Sequence, residues 1–420
     1  MPKKQVDLII KNACELATPI SSTQKPLVGK QMQQLRIIKN ASLAVNDGKI
    51  VGVGKTSSVT SGFKAAETIN AEGKTILPGF VDPHTHLVFA GSREKEFETR
   101  LKGASYMEIL RQGGGILKTV RETRQATTDE LVCNCQKTLD VMLRHGTTTT
   151  EAKSGYGLTK KDEAKCLRAV QQVNKSHPVD VAPTFLGAHA IPPEYGENSE
   201  GYVELITEEM IPSIANAKLA EFCDVFCEKG AFTVEQTKRI LQAGSKHGLT
   251  PKVHADELTP YGGAELAAEM RAVSAEHLLY ASEAGLRMMS KSGVTAVLLP
   301  TASFTLMTQR YADARRMIDL NLPVALGTDF NPSCWTESQQ LAIALACRQL
   351  KLTPAEALTA STLNAAHAIN RAAEIGSLEE GKKADALVLD APNHSFLGYR
   401  FGTNLVSKVI KEGKLVVDVE

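Results

Sequence analysis

The stretch VDPHTHLVFAGSRE, residues 81–94, sets His84 and His86 one residue apart directly after an apolar run. Side chains on an extended strand repeat every two residues, so both rings leave one face with Thr85 opposite, and two neutral imidazoles a few ångströms apart can chelate. Other polar residues interrupt later apolar runs near their ends: His189, His254 with Glu257 three residues on, His277 and Asp329. His84, His86, His254 and Asp329 together offer three nitrogens and a carboxylate oxygen, a borderline set suited to zinc or ferrous iron with room for a water. A lone strand histidine is more often a hydrogen-bonded core or surface group. Here, though, five of the ten histidines share the same kind of position. His145, His177, His247, His367 and His394 fall in helical or loop contexts and read as structural.

The elements that must position these residues are legible as eight strand-length apolar runs: GFVDPHTH, GTTTTEAKSG, DVAPTFLGAHA, AEFCDVFCE, PKVHADE, VSAEHLL, TAVLLP and PVALGTDF. Between them lie segments such as TKKDEAKCLRAVQQVNKSH, whose apolar residues recur at three and four. Strand and helix alternating eight times over roughly 300 residues predict a (β/α)8 barrel, in which functional side chains sit at the carboxyl ends of the strands. Residues 1–77 and 378–420 have a different texture, short alternating segments with Asp-Gly and Glu-Gly turns that favour hairpins. They predict one small β-sandwich domain built from both termini, leaving 78–377 as the barrel. GVGK at 52–55 reads as a hairpin turn. QGGGILKT at 112–119 lacks phosphate-loop spacing and reads as a flexible loop or helix junction over the barrel mouth.

The chain has 420 residues, 43% hydrophobic and 23% charged, with a net charge of +1. That balance argues against a nucleic-acid or anionic-membrane partner. The basic start MPKKQVDLIIKNACEL is broken by Asp7 and Lys11, so no signal-peptide core or spanning segment is expected, and the reading is a cytoplasmic protein. Its eight scattered cysteines include no CxxC pair and suggest free thiols in a reducing compartment. A homodimer is the base-rate expectation.

Taken together, DPHTHLVFAGSREKEFETRLKGASYMEI, GGGILKTV, TTTTEAKSGYGL, FLGAHAIPPEY, HADEL and GTDFNP resemble the amidohydrolase superfamily, and within it the branch that opens the ring of 4-imidazolone-5-propanoate in histidine degradation. The resemblance covers nearly the whole chain. It implies hydrolysis of a cyclic amide C–N bond to N-formimidoyl-L-glutamate, with one divalent or trivalent ion per chain, zinc or iron, held by His84, His86, His254 and Asp329. It further implies Arg93, Tyr156, His189, Glu257, Asn331, Ser333 and Cys334 as contacts to a small anionic substrate. His277 joins Glu257 and Asp329 as catalytic, the last two being joint candidates for the general base. Without the resemblance, Arg93 reads as a surface residue in a charged helix start. Ser333-Cys334 departs from the small Gly-type turn that many members carry after Asn-Pro. A second, lysine-bridged ion is not expected, because Lys229 falls out of register at the end of run four; Lys153 reads as a structural or supporting group. The rival activity is deamination of a guanine-like or triazine-like ring, which needs no Arg93 and releases ammonia.

Overall fold

The computed structural model describes residues 3–20, 25–103 and 114–419. Five strands come first: β1 (Lys4–Pro19), β2 (Leu35–Asn46), β3 (Lys49–Lys55), β4 (Phe63–Asn70) and β5 (Thr75–Pro78). Eight follow in alternation with helices: β6 (Phe80–Asp82), β7 (Thr147–Lys153), β8 (Asp180–Ala188), β9 (Phe222–Cys227), β10 (Thr250–Ala255), β11 (Ser274–His277), β12 (Thr295–Leu298) and β13 (Val324–Leu326). Three strands end the chain, β14 (Ala386–Leu389), β15 (Val406–Lys411) and β16 (Lys414–Asp418).

Strands β6 to β13 pair in sequence order, each parallel to the next. They coincide with the eight apolar runs. The sheet closes where its ends meet, through a bridge from Thr85 to Phe330, and His86 N–H donates to the Phe330 carbonyl at 2.8 Å while Asp329 N–H donates to the His84 carbonyl at 3.1 Å. Buried Asp82 locks the same seam, accepting from Thr328 N at 3.1 Å and from Thr328 Oγ1 at 2.6 Å. The predicted outer helices form for local reasons. Thr159 caps Lys160–Ser176 by accepting from Asp162 N, and Thr233 and Gln236 make a reciprocal capping box at Val234–Lys246. Helix Leu363–Ala368 seals the lower end, its Ala365 and Ala366 packing with Val81, Phe222 and Val297.

Strands from both termini form a second sheet in the order β16-β15-β14-β5-β1-β2-β3, with β4 pairing β1. Ile10, Leu43, Ile76, Val388 and Ile410 share its apolar core. The turns Asp47-Gly48 and Glu412-Gly413 both have positive φ at each residue, as two-residue hairpin loops require. Two local expectations are corrected. GVGK is no turn: it lies inside β3, Gly52 facing Ala44, and a Cβ on Gly52 would stand 2.7 Å from the Phe63 ring, so the glycine makes room for an aromatic. Nor do β4 and β5 form a hairpin; both run parallel to β1, which is long enough to pair with each in turn. Gln112 and Gly113 of QGGGILKT lie outside the described residues, and the remainder opens the helix Ile116–Gln125.

Candidate metal centre and cleft

His84 and His86 leave the end of β6 on one face and meet His254 from β10 and Asp329 from just beyond β13. His84 Nε2 lies 3.3 Å and His86 Nε2 3.5 Å from Asp329 Oδ1, and the Nε2 atoms of His86 and His254 are 3.4 Å apart. Beneath them His254 Nδ1 faces Asp224 Oδ2 at 2.9 Å, and His84 Nδ1 faces Glu276 Oε2 at 3.3 Å. A carboxylate at Nδ1 favours the proton there, which turns both Nε2 lone pairs toward the cluster. Burial pushes the pKa of His84 and His86 well below the ordinary value, keeping the rings neutral. Burial also opposes charge on His254, but the Asp224 carboxylate outweighs it and raises that ring. His84 Nε2 and Asp329 Oδ1 are buried with no hydrogen-bond partner. Convergent lone pairs on buried atoms that nothing else satisfies are what a divalent ion requires, so the residues fit a metal.

All the other candidate residues line one cleft of about 210 Å³ above His84. His277 and Asp329 stand at φ 70° and 52°, the left-handed region, which side chains with a Cβ enter at a cost and which recurs at functional sites. Glu257 sits in a loop pinned on both sides. Asp256 accepts from the N–H groups of Tyr261, Gly262, Gly263 and Ala264, and Glu228 accepts from Leu258 N at 2.8 Å. Glu257 Oε2 is 3.6 Å from His277 Nε2. Burial first, then the neighbouring Asp329 charge, pushes the Glu257 carboxyl up to about 8, while burial takes Asp329 to about 7. His277 is held neutral, chiefly by burial.

Across the cleft, His189 Nδ1–H donates to the Gly155 carbonyl at 3.0 Å, and burial lowers its pKa to about 3, so Nε2 is a bare acceptor. A Cβ on Gly155 would press on Leu186 O at 2.9 Å and on that same Nδ1 at 3.0 Å. Buried Glu163 gathers the turn around Tyr156, accepting from Gly157 N at 2.7 Å and from Leu158 N at 2.9 Å. Asn331 Oδ1 accepts from Ser333 N at 2.8 Å and Cys334 N at 3.0 Å, shaping the loop after Asp329. Arg93 is no surface residue: it is 7% exposed, and its Nη1 donates to Ser333 Oγ at 2.8 Å. Lys229 is exposed.

Of the floor, sequence reasoning reached only Lys153, read as a structural or supporting group, and missed the four charged residues around it. Glu151, Lys153, Asp224, Lys252 and Glu276 have no exposed surface at all. Lys153 Nζ contacts Asp224 at 2.7 Å, Glu151 at 2.9 Å and Glu276 at 3.2 Å, and Lys252 Nζ contacts Glu151 at 2.8 Å and Glu276 at 3.2 Å. Three carboxylates against two ammoniums leave one excess negative charge under the histidines, complementary to a cation. The available signal was charge inside apolar runs at strand period, Glu151 with Lys153 and Lys252 with His254.

A profile of the amidohydrolase family matches residues 75–416. Imidazolonepropionases from Alkaliphilus oremlandii and Geobacillus sp. are each 53% identical to the chain, with 98% of both chains covered in each case. Among solved structures, a zinc-bound adenosine deaminase from Xanthomonas campestris has a TM-score of 0.73 at 20% identity, covering 99% of this chain and 94% of that one. E. coli guanine deaminase has a TM-score of 0.70 at 16% identity, covering 98% and 99%. These two similarities show the fold. No described helix is long and apolar enough to cross a membrane. The profile spanning both the barrel and the terminal strands, with full-length relatives at such identity, places the protein: the chain belongs to the amidohydrolase family.

Proposed function

We propose that the cleft hydrolyses 4-imidazolone-5-propanoate to N-formimidoyl-L-glutamate, the activity named by the full-length relatives. The observation that carries the reading is a buried guanidinium in the same cleft as the histidine–aspartate cluster, a pairing suited to a substrate with a carboxylate tail and a hydrolysable ring. His84, His86, His254 and Asp329 hold one ion, zinc or iron. When bound, the ion supplies Lewis acidity, lowering the pKa of a coordinated water from about 16 toward about 7 and polarising the ring carbonyl.

The protein's own groups do the rest. Asp329 is committed to the cluster, so Glu257 takes the water proton and returns it to the ring nitrogen as the C–N bond breaks. A carboxyl tuned toward neutrality suits a group that must accept and release within one turnover. Neutral His277 donates to the oxygen on which charge develops. His189 accepts a ring N–H through Nε2, Tyr156 walls the ring, and Arg93 with the 331–334 loop receives the propanoate. Atoms balance: water adds across one C–N bond and no ammonia leaves.

The test is metal content by plasma mass spectrometry with substrate depletion on the same sample. About one zinc or iron per chain, depletion and no free ammonia are expected. Metal without depletion overturns the substrate assignment, and depletion by a metal-free sample overturns the ligand assignment.

A further inference from the structure

The segment GGGILKTV is used by none of the chemistry above, yet its helix Ile116–Gln125 touches the loop that carries Arg93 at successive points. Ala90 N donates to Thr123 Oγ1 at 3.1 Å, Lys118 Nζ donates to the Ser92 carbonyl at 2.5 Å, and Arg93 Nε donates to Thr119 Oγ1 at 3.0 Å. Thr119 and Thr123 lie four residues apart on one helix face, and both are buried. Between these contacts the loop passes at Gly91 with φ 82°, where a Cβ would fall 1.8 Å from Glu122 Oε2. At that φ glycine is the residue that fits without backbone strain.

A guanidinium carries five N–H donors in a rigid fork. Thr119 consumes the single Nε–H and Ser333 one of the two on Nη1, while Nη2 is buried with no hydrogen-bond partner. The side-on pair Nε/Nη2 is therefore closed to a ligand. What remains unpaired is one N–H of Nη1 and both of Nη2, so only the end-on edge shared by these two nitrogens keeps a donor on each.

We propose that Thr119 is a positioning residue that fixes Arg93 end-on, making the helix Ile116–Gln125 the element that selects a substrate with an anionic tail. The inference rests on the substrate reading above and deepens it. The experiment compares the imidazolone propanoate with its neutral propanamide analogue in wild type, Thr119→Val and Thr119→Ser, with melting temperature and metal content recorded for each. Thr119→Val keeps the shape and removes the acceptor. Its KM for the acid is expected to rise about tenfold, with kcat within about threefold and the KM for the amide unmoved, and Thr119→Ser restores most of the loss. An unchanged KM, or an equal rise for acid and amide, overturns the proposal. If Thr119→Val does not fold, Gly91→Ala decides: displacing the loop must raise KM for the acid alone, and any other pattern overturns the proposal. If instead the wild type consumes neither compound, the substrate reading has failed, a result distinguishable from failure of the Thr119 role.

Discussion

Inside the terminal sheet Ile10, Leu43, Ile76, Val388 and Ile410 meet one another, whereas inside the barrel, equally shut from water, Lys153 and Lys252 meet Glu151, Asp224 and Glu276. Both sheets have eight strands, so strand number does not decide what an interior holds. An apolar interior converts burial directly into stability, at about 25 cal/mol per Å². A charged interior at best balances desolvation against pairing and survives where another purpose fixes it. In the barrel that purpose lies one layer up, in the histidines whose Nδ1 atoms Asp224 and Glu276 face. The two interiors therefore fail differently when broken.

Lys153→Met breaks the charged one hardest. Burial opposes charge on Lys153, but Asp224, Glu151 and Glu276 outweigh it and raise its pKa. Removing the ammonium leaves Asp224 with no lysine and Glu151 and Glu276 with Lys252 alone, a loss of about 3–5 kcal/mol. Denaturant unfolding should show that loss together with depleted metal; a variant as stable and as metal-rich as wild type would mean that the floor is not held by charge. Ile10→Ala, in the apolar interior, should cost about 2–4 kcal/mol by transfer and cavity terms. Metal content and kcat/KM below the transition should stay put, and a loss of metal there would erase the distinction between the sheets. Asp224→Asn is gentler. The amide still occupies the space beside His254 Nδ1 but gives up the carboxylate, and chelator competition should show metal bound about 10–100-fold more weakly.

The same contrast explains what the sequence made legible. Apolar runs ending in His84, His189, His254, His277 and Asp329 mark both the strands and the cleft, because polar residues at strand ends break a local pattern. Asp224, Glu276 and Lys252 sit inside the runs and were absorbed into them as strand filler. Their partners lie across the barrel, at separations set by the stagger of parallel strands, which no local spacing encodes. Arg93 looked exposed because its neighbours are charged. It is buried by the helix Ile116–Gln125, an element 26 residues away at the contact with Thr119. In the terminal sheet the hairpin turns were readable from Asp47-Gly48, but Gly52 of GVGK reports a packing need of Phe63 rather than a turn. A glycine needed for a neighbour's bulk looks, in sequence, like one needed for its own backbone.

The smallest effect concerns a charge buried in the terminal sheet. Glu15 of β1 is buried against His394, whose Nδ1 lies 2.6 Å away, and receives Lys39 at 2.7 Å. Burial alone would push this carboxyl up, but the hydrogen bonds from His394 and Lys39 outweigh it and hold it down to about 2, below its ordinary 4.5. A depressed carboxyl stabilises the fold fully above its unfolded pKa and progressively less as pH falls toward the folded one. The window is therefore pH 4.5 down to about 2, and the stake is about 1–2 kcal/mol once solvent screening is allowed for. Glu15→Gln should be less stable than wild type at pH 6, and the gap should shrink as unfolding is repeated toward pH 3. A gap independent of pH would assign the whole effect of Glu15 to shape rather than charge.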